Sequence, residues 1–320
     1  MNKTKNEIQS LSVLGAGAVG CFYGLKLQSF GLYTEFQSRN MYKSSIKNIK
    51  VKSIWGNFES QLKVHETPLT MKKSDLVIVS TKVTQFDTDL HTIKEYLKLV
   101  SHEKTIVLFL QNGINFEENI QISFPNNPII GGLAFTCINR VSLDEIHHID
   151  YGKVKIGSNL KNFDHAARDV VELFQNSGID TEYLPNLRFG RYEKLLWNIP
   201  FNSLSVLFKS KTDLLVSEGT TLELAKNLMN DVYKIARKDK ILITKKMIKD
   251  MLIRTIKMKP YKTSMLLDYE AGRELEIESI LGEPLRIAQK LKVKVPNIEN
   301  MYYILKHITS SPYSLSGKGD

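Results

Sequence analysis

Leu11-Ser12-Val13-Leu14 runs directly into Gly15-Ala16-Gly17-Ala18-Val19-Gly20, and this junction decides the fold. A short apolar run that ends in glycines reads as a strand that stops abruptly. From Val19 to Phe30 the apolar residues recur at helical spacing, and Gly31 supplies a helix stop. A G-x-G-x-x-G is a weak signal alone. Between a strand and a helix, in the first βαβ unit, it reads as a dinucleotide-binding turn. Gly15 permits the tight turn, Gly17 lets backbone approach a pyrophosphate, and Gly20 lets helix and strand pack closely. Free N–H groups at the helix start then face the phosphates, and the helix dipole favours their charge.

Outward from this junction, strand and helix patterns alternate. Tyr33–Phe36 reads as a second strand, and 57–64 as extended. LVIVST (76–81) and TIVLFL (105–110) are continuous apolar runs, as buried parallel strands are. Residues 87–99 and 116–122 read as helices, and 129–136 as a strand. Tyr151-Gly152 lies between Ile146–Asp150 and Lys153–Ile156 and reads as the turn of a hairpin. Residues 165–177 form a helix stopped by Gly178, and 180–184 a last strand. Beyond Pro185 only helical periodicity continues, with breaks near 209–212, 259–261 and 295–296. The expectation is an α/β chain: a doubly wound sheet over residues 1–186, then an all-helical domain over 187–320. The last residues, 310–320, read as frayed.

The bulk composition narrows the function classes. At 320 residues, two domains of about 100–200 residues are natural. No stretch approaches the ~20 uninterrupted apolar residues that cross a bilayer. The N-terminus MNKTKNEIQS lacks the apolar run of a signal peptide, so a cytoplasmic protein is expected. Cys21 and Cys137 form no framework and read as two small buried hydrophobes. The net charge of +10 is spread along the chain. Its densest run, Lys234 to Lys262, carries apolar residues at helical spacing and reads as a helix with a solvated basic face, not a nucleic-acid surface. No metal site is expected: His147-His148 are adjacent, there is no HExxH, and the pair reads as part of the surface hairpin.

The tip of the second strand selects the cofactor. Dinucleotide folds that take NAD usually place an acid there. This chain reads Phe36-Gln37-Ser38-Arg39, with Glu35 earlier on the strand. Arg39 can fork onto a 2′-phosphate, which favours NADPH over NADH. Two further strand ends carry polar residues, Thr81-Lys82 with Gln85 behind, and Gln111-Asn112-Gly113. Ligands of open α/β sheets lie beyond such carboxyl ends.

In the helical half, Lys194, Asn198 and Asn202 stand at i, i+4 and i+8, on one face of a helix. That helix contains Pro200, expected to kink it. A hydride acceptor whose carbonyl oxygen gains charge needs a proton or a fixed cation, and Lys194 is a candidate for either. Ser264 follows a turn and reads either as a helix cap or as a site residue. Glu276 stands among Leu275, Ile277, Ile280 and Leu281, as a solvated helix-face acid does.

These pieces, in this order and spacing, resemble the ketopantoate reductase family. They are the GAGAVG turn, an arginine after strand two, a strand followed by Thr81-Lys82, Gln111-Asn112-Gly113, the KLxxNxxxN helix from Lys194, and SMLxD from Ser264 with Glu276 twelve residues later. The likeness runs from Leu11 to about Ile308 and includes HHIDYGKVKIG and KLKVKVPNIENMY. It implies a Rossmann-type domain followed by a helical one, with NADPH/NADP+ as cofactor and a small 2-oxo acid, 2-dehydropantoate, as substrate. It implies that Gly15, Ala16, Gly17, Ala18, Val19 and Gly20 hold the pyrophosphate and Arg39 the 2′-phosphate. Lys82 would contact the adenosine side, and Asn112 would sit near nicotinamide and substrate. Lys194 would be the general acid, Asn198 and Asn202 would orient the substrate, and Ser264 would bind its carboxylate. Glu276 would lie at the nicotinamide end of the cofactor or on the substrate hydroxyl.

The chain departs from the family at Thr212, eighteen residues after Lys194, where members often carry an asparagine. That leaves room for a paralogous reductase of another 2-oxo acid, or an opine-type dehydrogenase. A non-catalytic NADPH-binding regulator would require a broken donor site, and the set Lys194, Asn198, Asn202, Ser264 is intact. Monomer and homodimer are both compatible with the sequence.

Overall fold

A computed structural model describes residues 8–39, 45–217 and 219–310. Residues 1–7 of the polar N-terminus MNKTKNEIQS and most of the tail read as frayed (311–320) lie outside the described residues. The chain divides into two units. One holds the chain up to Lys82 with Asp87–Gln111 and Asn115–Leu187; the other holds Val83–Phe86, Asn112–Ile114 and the chain from Arg188.

The first unit is built on a nine-stranded sheet of order β3-β4-β2-β1-β5-β6-β7-β8-β9. Its strands are β1 (Ser10–Leu14), β2 (Tyr33–Gln37), β3 (Ser45–Ser53), β4 (Phe58–His65), β5 (Leu76–Val79), β6 (Ile106–Phe109), β7 (Ile129–Arg140), β8 (Glu145–Ser158) and β9 (Thr181–Tyr183). From β4 through β2, β1, β5 and β6 to β7 every neighbour is parallel. The central strands β1, β5 and β6 are therefore buried on both faces. Leu11, Val13, Leu76, Ile78, Ile106 and Leu108 join one core cluster with α1 (Ala18–Ser29) and α4 (Asp164–Asn176). The alternate residues Leu14, Val77, Val79, Val107 and Phe109 are equally buried, as a period of two requires. Phe109 stacks on Phe116 of α3 (Phe116–Gln121), ring centres 6.2 Å apart. Helix α2 (Phe86–Val100) buries Leu90, Ile93, Leu97 and Val100.

Strand order reverses at β1, which has β2 on one side and β5 on the other. The glycine turn thus stands at the switch point of the sheet, where such sheets bind ligands.

The sheet differs from the sequence reading in its details. Strand β3, unread in the sequence, pairs antiparallel with β4 and carries Lys47, Lys50 and Lys52 along its length. Tyr151-Gly152 is no hairpin turn. It lies inside β8, where both residues have positive φ (59° and 117°) and the register against β7 skips Gly152. Such a bulge uses turn-type residues without turning the chain. The hairpin turn is at 141–144, between β7 and β8, with Val141 N–H on the Glu145 carbonyl at 3.1 Å. The start of β8 also pairs with β3. His148 is buried there rather than exposed, between Phe22 and Trp55, with ring centres 4.6 Å from each.

The second unit is helical: α5 (Leu187–Leu207), α6 (Thr212–Ser217), α7 (Gly219–Lys238), α8 (Lys245–Ile256), α9 (Ser264–Glu270), a π-helical turn at Glu278–Gly282, α10 (Glu283–Lys290) and α11 (Pro296–Ser310). Helix α5 continues through Pro200. It buries Tyr192, Leu195, Leu196, Ile199, Phe201 and Leu204 in a core shared with α7, α10 and α11. Asp231 of α7 is fully buried because it caps α11: its carboxylate accepts the N–H of Asn297 at 2.8 Å and of Ile298 at 3.4 Å. That satisfies donors a helix start leaves unpaired. The lysine-rich run 234–262, read as one helix, is two. Lys240 adopts φ 62°, Ile241 N–H returns to the Ala236 carbonyl, and Thr244 caps α8 through Met247 N–H. No described helix is long and apolar enough to cross a membrane.

Candidate functional site

Each glycine of the turn after β1 has its own geometric reason. Gly15 has φ 102°, and a Cβ on it would stand 2.6 Å from the Thr81 nitrogen. The N–H groups of Gly15 and Ala16 both donate to the Gln37 carbonyl, at 3.1 and 2.9 Å. A Cβ on Gly20 would stand 2.3 Å from the Gly15 carbonyl oxygen and 2.2 Å from Ser80 Oγ. Gly17 differs: its missing Cβ would meet nothing within 4 Å. Gly17 caps α1 with extended backbone and without a side-chain cap bond, and the first turn, Ala18-Val19-Gly20, has no acid. An open cradle beside uncapped N–H groups fits the phosphates of a dinucleotide.

At the tip of β2, Arg39 is exposed, with its guanidinium 5.5 Å from the centre of the Tyr96 ring. Glu35 is committed elsewhere. Its buried carboxylate pairs with Lys63, lies 3.3 Å from His65 Nε2, and accepts the Lys72 N–H at 2.8 Å. Burial pushes its pKa up, but the bonds from Lys63, Lys72 and Tyr33 outweigh it and hold the carboxyl below its ordinary value. Lys82 is exposed just beyond Thr81. Gln111 Nε2 donates to the Thr81 carbonyl at 2.6 Å and to its hydroxyl at 2.9 Å, tying the ends of β5 and β6.

A second cluster forms within the helical unit. Asn112 Nδ2 donates to Glu276 Oε2 at 3.3 Å, and the Val83 N–H points at Oε1 from 3.4 Å. Gly113, at φ 115°, lies so close to the π-helical turn that a Cβ would stand 2.4 Å from the Ser279 carbonyl oxygen. Glu276 is therefore buried and bonded, not the solvated face acid its neighbours suggested. π-Helical turns are frequent near functional sites.

Lys194 retains access to solvent but is crowded by protein. Burial lowers its pKa to about 7; the positive charge of Arg191 lowers it too, and Glu276 opposes both. Arg191 is 1% exposed and precedes Lys194 by one helical turn. The sequence analysis leaves it out, although its i, i−3 spacing from Lys194 is a usable signal. Asn198 and Asn202 are both buried on α5, and Asn202 Oδ1 has no hydrogen-bond partner among the described residues. A buried amide oxygen without a partner fits a polar ligand.

Ser264 is the first residue of α9 and is exposed; Thr263 is the cap, accepting the Leu266 N–H at 3.2 Å. The capping alternative for Ser264 is thereby removed. Thr212 is used within the fold: its N–H donates to the Tyr261 carbonyl at 3.0 Å, and its hydroxyl accepts the Tyr261 N–H at 3.2 Å. Among the described residues, no group of three or more His, Cys, Asp or Glu side chains is placed to hold a metal.

Comparison with known proteins gives the context. The profile of the family described as ketopantoate reductase PanE/ApbA matches residues 11–161, and that of its C-terminal part matches 186–309. A 2-dehydropantoate 2-reductase of Nostoc is 38% identical over 304 residues, covering 93% of this chain and 94% of the relative. Solved structures of 2-dehydropantoate 2-reductases from Geobacter metallireducens and Methylococcus capsulatus superpose with TM-scores of 0.86 and 0.85. They are 31% and 29% identical and cover 93% and 95% of this chain, and 99% of each neighbour.

Proposed function

We propose a function from one premise: the chain belongs to the ketopantoate reductase family. Within it, the chain reduces 2-dehydropantoate to (R)-pantoate with NADPH, a step toward pantothenate and coenzyme A, in the cytoplasm. The observation that carries this reading is Lys194, a lysine brought to a pKa of about 7 on the helix face that also carries two buried amides.

The residues of the β1–α1 turn fit the cofactor, with Gly17 leaving room for its pyrophosphate and Arg39 exposed for a 2′-phosphate. Lys82 takes the adenosine side. When bound, NADPH supplies the hydride.

The protein handles the proton. Reduction turns the carbonyl oxygen of the 2-oxo acid into an alkoxide, and Lys194 Nζ gives that oxygen a proton. A donor that titrates near neutrality is both acidic enough to give the proton and basic enough to regain it from water. Asn198 and Asn202 orient the substrate, and the unpartnered Oδ1 of Asn202 accepts from it. Ser264, free of capping duty, binds the carboxylate. Asn112 and Glu276, bonded to each other, face the nicotinamide end or the substrate hydroxyl.

The test is K194A. It should still take up NADPH, seen as an unchanged thermal shift, while turnover falls by about 10²–10⁴-fold. Near-normal turnover would move the proton donor elsewhere. The second reading, a paralogous reductase of another 2-oxo acid, is favoured by one observation: Thr212 spends its hydroxyl on Tyr261 where the family often offers an amide.

A further inference from the structure

One side chain of the β7–β8 hairpin reaches the glycine turn. Arg140 is the last residue of β7. Its Nη1 donates to the Leu143 carbonyl at 2.7 Å, which shapes the hairpin tip. Its Nη2 donates to the Ala16 carbonyl at 3.2 Å and to Cys21 Sγ at 2.9 Å. Ala16 sits between Gly15 and Gly17, and Cys21 sits one turn into α1. The guanidinium thus bridges the glycine turn and the helix it opens, from 124 residues away.

Cys21 completes the arrangement as a neutral thiol. Burial pushes its pKa up to about 11 against the pull of Arg140, so the S–H is kept and points at the same Ala16 carbonyl from 3.3 Å. The Ala16 carbonyl therefore receives two donors. A peptide unit is planar, so fixing the Ala16 C=O also fixes the N–H of Gly17 at its other end. Gly17 needs that restraint. It has no side chain, and its outer side is open. Donors aimed before the ligand arrives bind more tightly than donors that must first be ordered. The guanidinium also brings positive charge to a helix start that already favours anions.

We propose that Arg140 is a positioning residue of the dinucleotide turn: through the Ala16 carbonyl it holds the Gly17 N–H in the orientation that receives a pyrophosphate. This rests on reading the turn as the NADPH site.

The test titrates NADPH into wild type and R140M by nicotinamide fluorescence, with ligand-free melting and steady-state rates alongside. R140M should weaken the NADPH Kd by about tenfold, the loss of one charge-assisted bond. KM for NADPH should rise by more than kcat falls. R140K, which keeps the charge and one donor, should recover part of the affinity. A wild-type Kd in R140M overturns the proposal, whatever happens to ligand-free melting. Should R140M fail to fold, R140Q decides: weaker binding supports the role, and an unchanged Kd overturns it. Wild type that does not bind NADPH sinks the cofactor reading as well. Wild-type binding with an unaffected variant sinks only the role of Arg140.

Discussion

The amide of Asn112 donates to the carboxylate of Glu276, 3.3 Å away and 164 residues along the chain. That bond ties the loop after β6 to the segment that leads into the π-helical turn. It also fixes in place a negative charge that Lys194 senses.

Lys194 is set by opposing influences. Burial and Arg191 lower its pKa and Glu276 raises it, with a balance at about 7. Reduction needs the protonated amine, so turnover should be full below that pH and fall as pH rises through it. E276Q removes the opposing charge and should move this limb down by about one pH unit. R191M removes a repulsion and should move it up. The pH dependence of kcat for the two variants checks this; shifts of the same sign would contradict it.

Gly17 and Gly20 should separate ligand binding from folding. G17A has open space and a φ of −74°. Its ligand-free stability should hold or gain by about 0.4–1 kcal/mol, the gain seen for Gly→Ala at compatible sites. Its NADPH-induced thermal shift should nevertheless be lost. G20A must displace backbone at Gly15, so it should melt lower even without ligand. Differential scanning calorimetry with and without NADPH distinguishes the two.

Much of this was legible in the sequence, for a physical reason. Central parallel strands are buried on both faces, so LVIVST and TIVLFL stand out as unbroken apolar runs, and a glycine turn at a switch point has few substitutes. Edge structure is quieter. In β3 only Ile49 and Val51 are buried and Ile46 is exposed, so the apolar–polar alternation spans just Ile49 to Lys52. Tyr151-Gly152 has turn chemistry because a bulge needs the same positive φ, whereas the turn itself, Val141-Ser142-Leu143-Asp144, has neither glycine nor proline. Glu276 and Arg140 act through partners more than a hundred residues away, and periodicity carries no trace of them. Arg191 was a nearer miss, since helical spacing alone places it beside Lys194.

Arg39 should govern the choice of cofactor. It is exposed beside the Tyr96 ring, while Glu35 is held by Lys63 and Lys72. R39A should cut the NADPH-over-NADH preference in kcat/KM by about ten- to hundredfold, the worth of a charge-assisted pair. An unchanged preference would remove Arg39 from the cofactor site.

His148 should make stability fall in acid. Its burial between Phe22 and Trp55 disfavours the charged ring, although its bonds to Tyr151 and Asp150 work the other way, and its pKa lies below 6.5. The unfolded chain then binds the proton first. The contribution is fully present above about pH 6.5 and is lost as pH falls through that value toward the folded one. Melting temperature measured from pH 7.5 to 5 should drop more steeply for wild type than for H148Q. Parallel curves would assign the acid loss to other groups.

The most direct test is the oxidation of NADPH at 340 nm with 2-dehydropantoate, beside pyruvate, 2-oxoisovalerate and an NADH control. Rapid turnover confined to NADPH and strongest with 2-dehydropantoate is the predicted result. Tight NADPH binding with no turnover of 2-dehydropantoate would contradict the substrate and turn attention to Thr212.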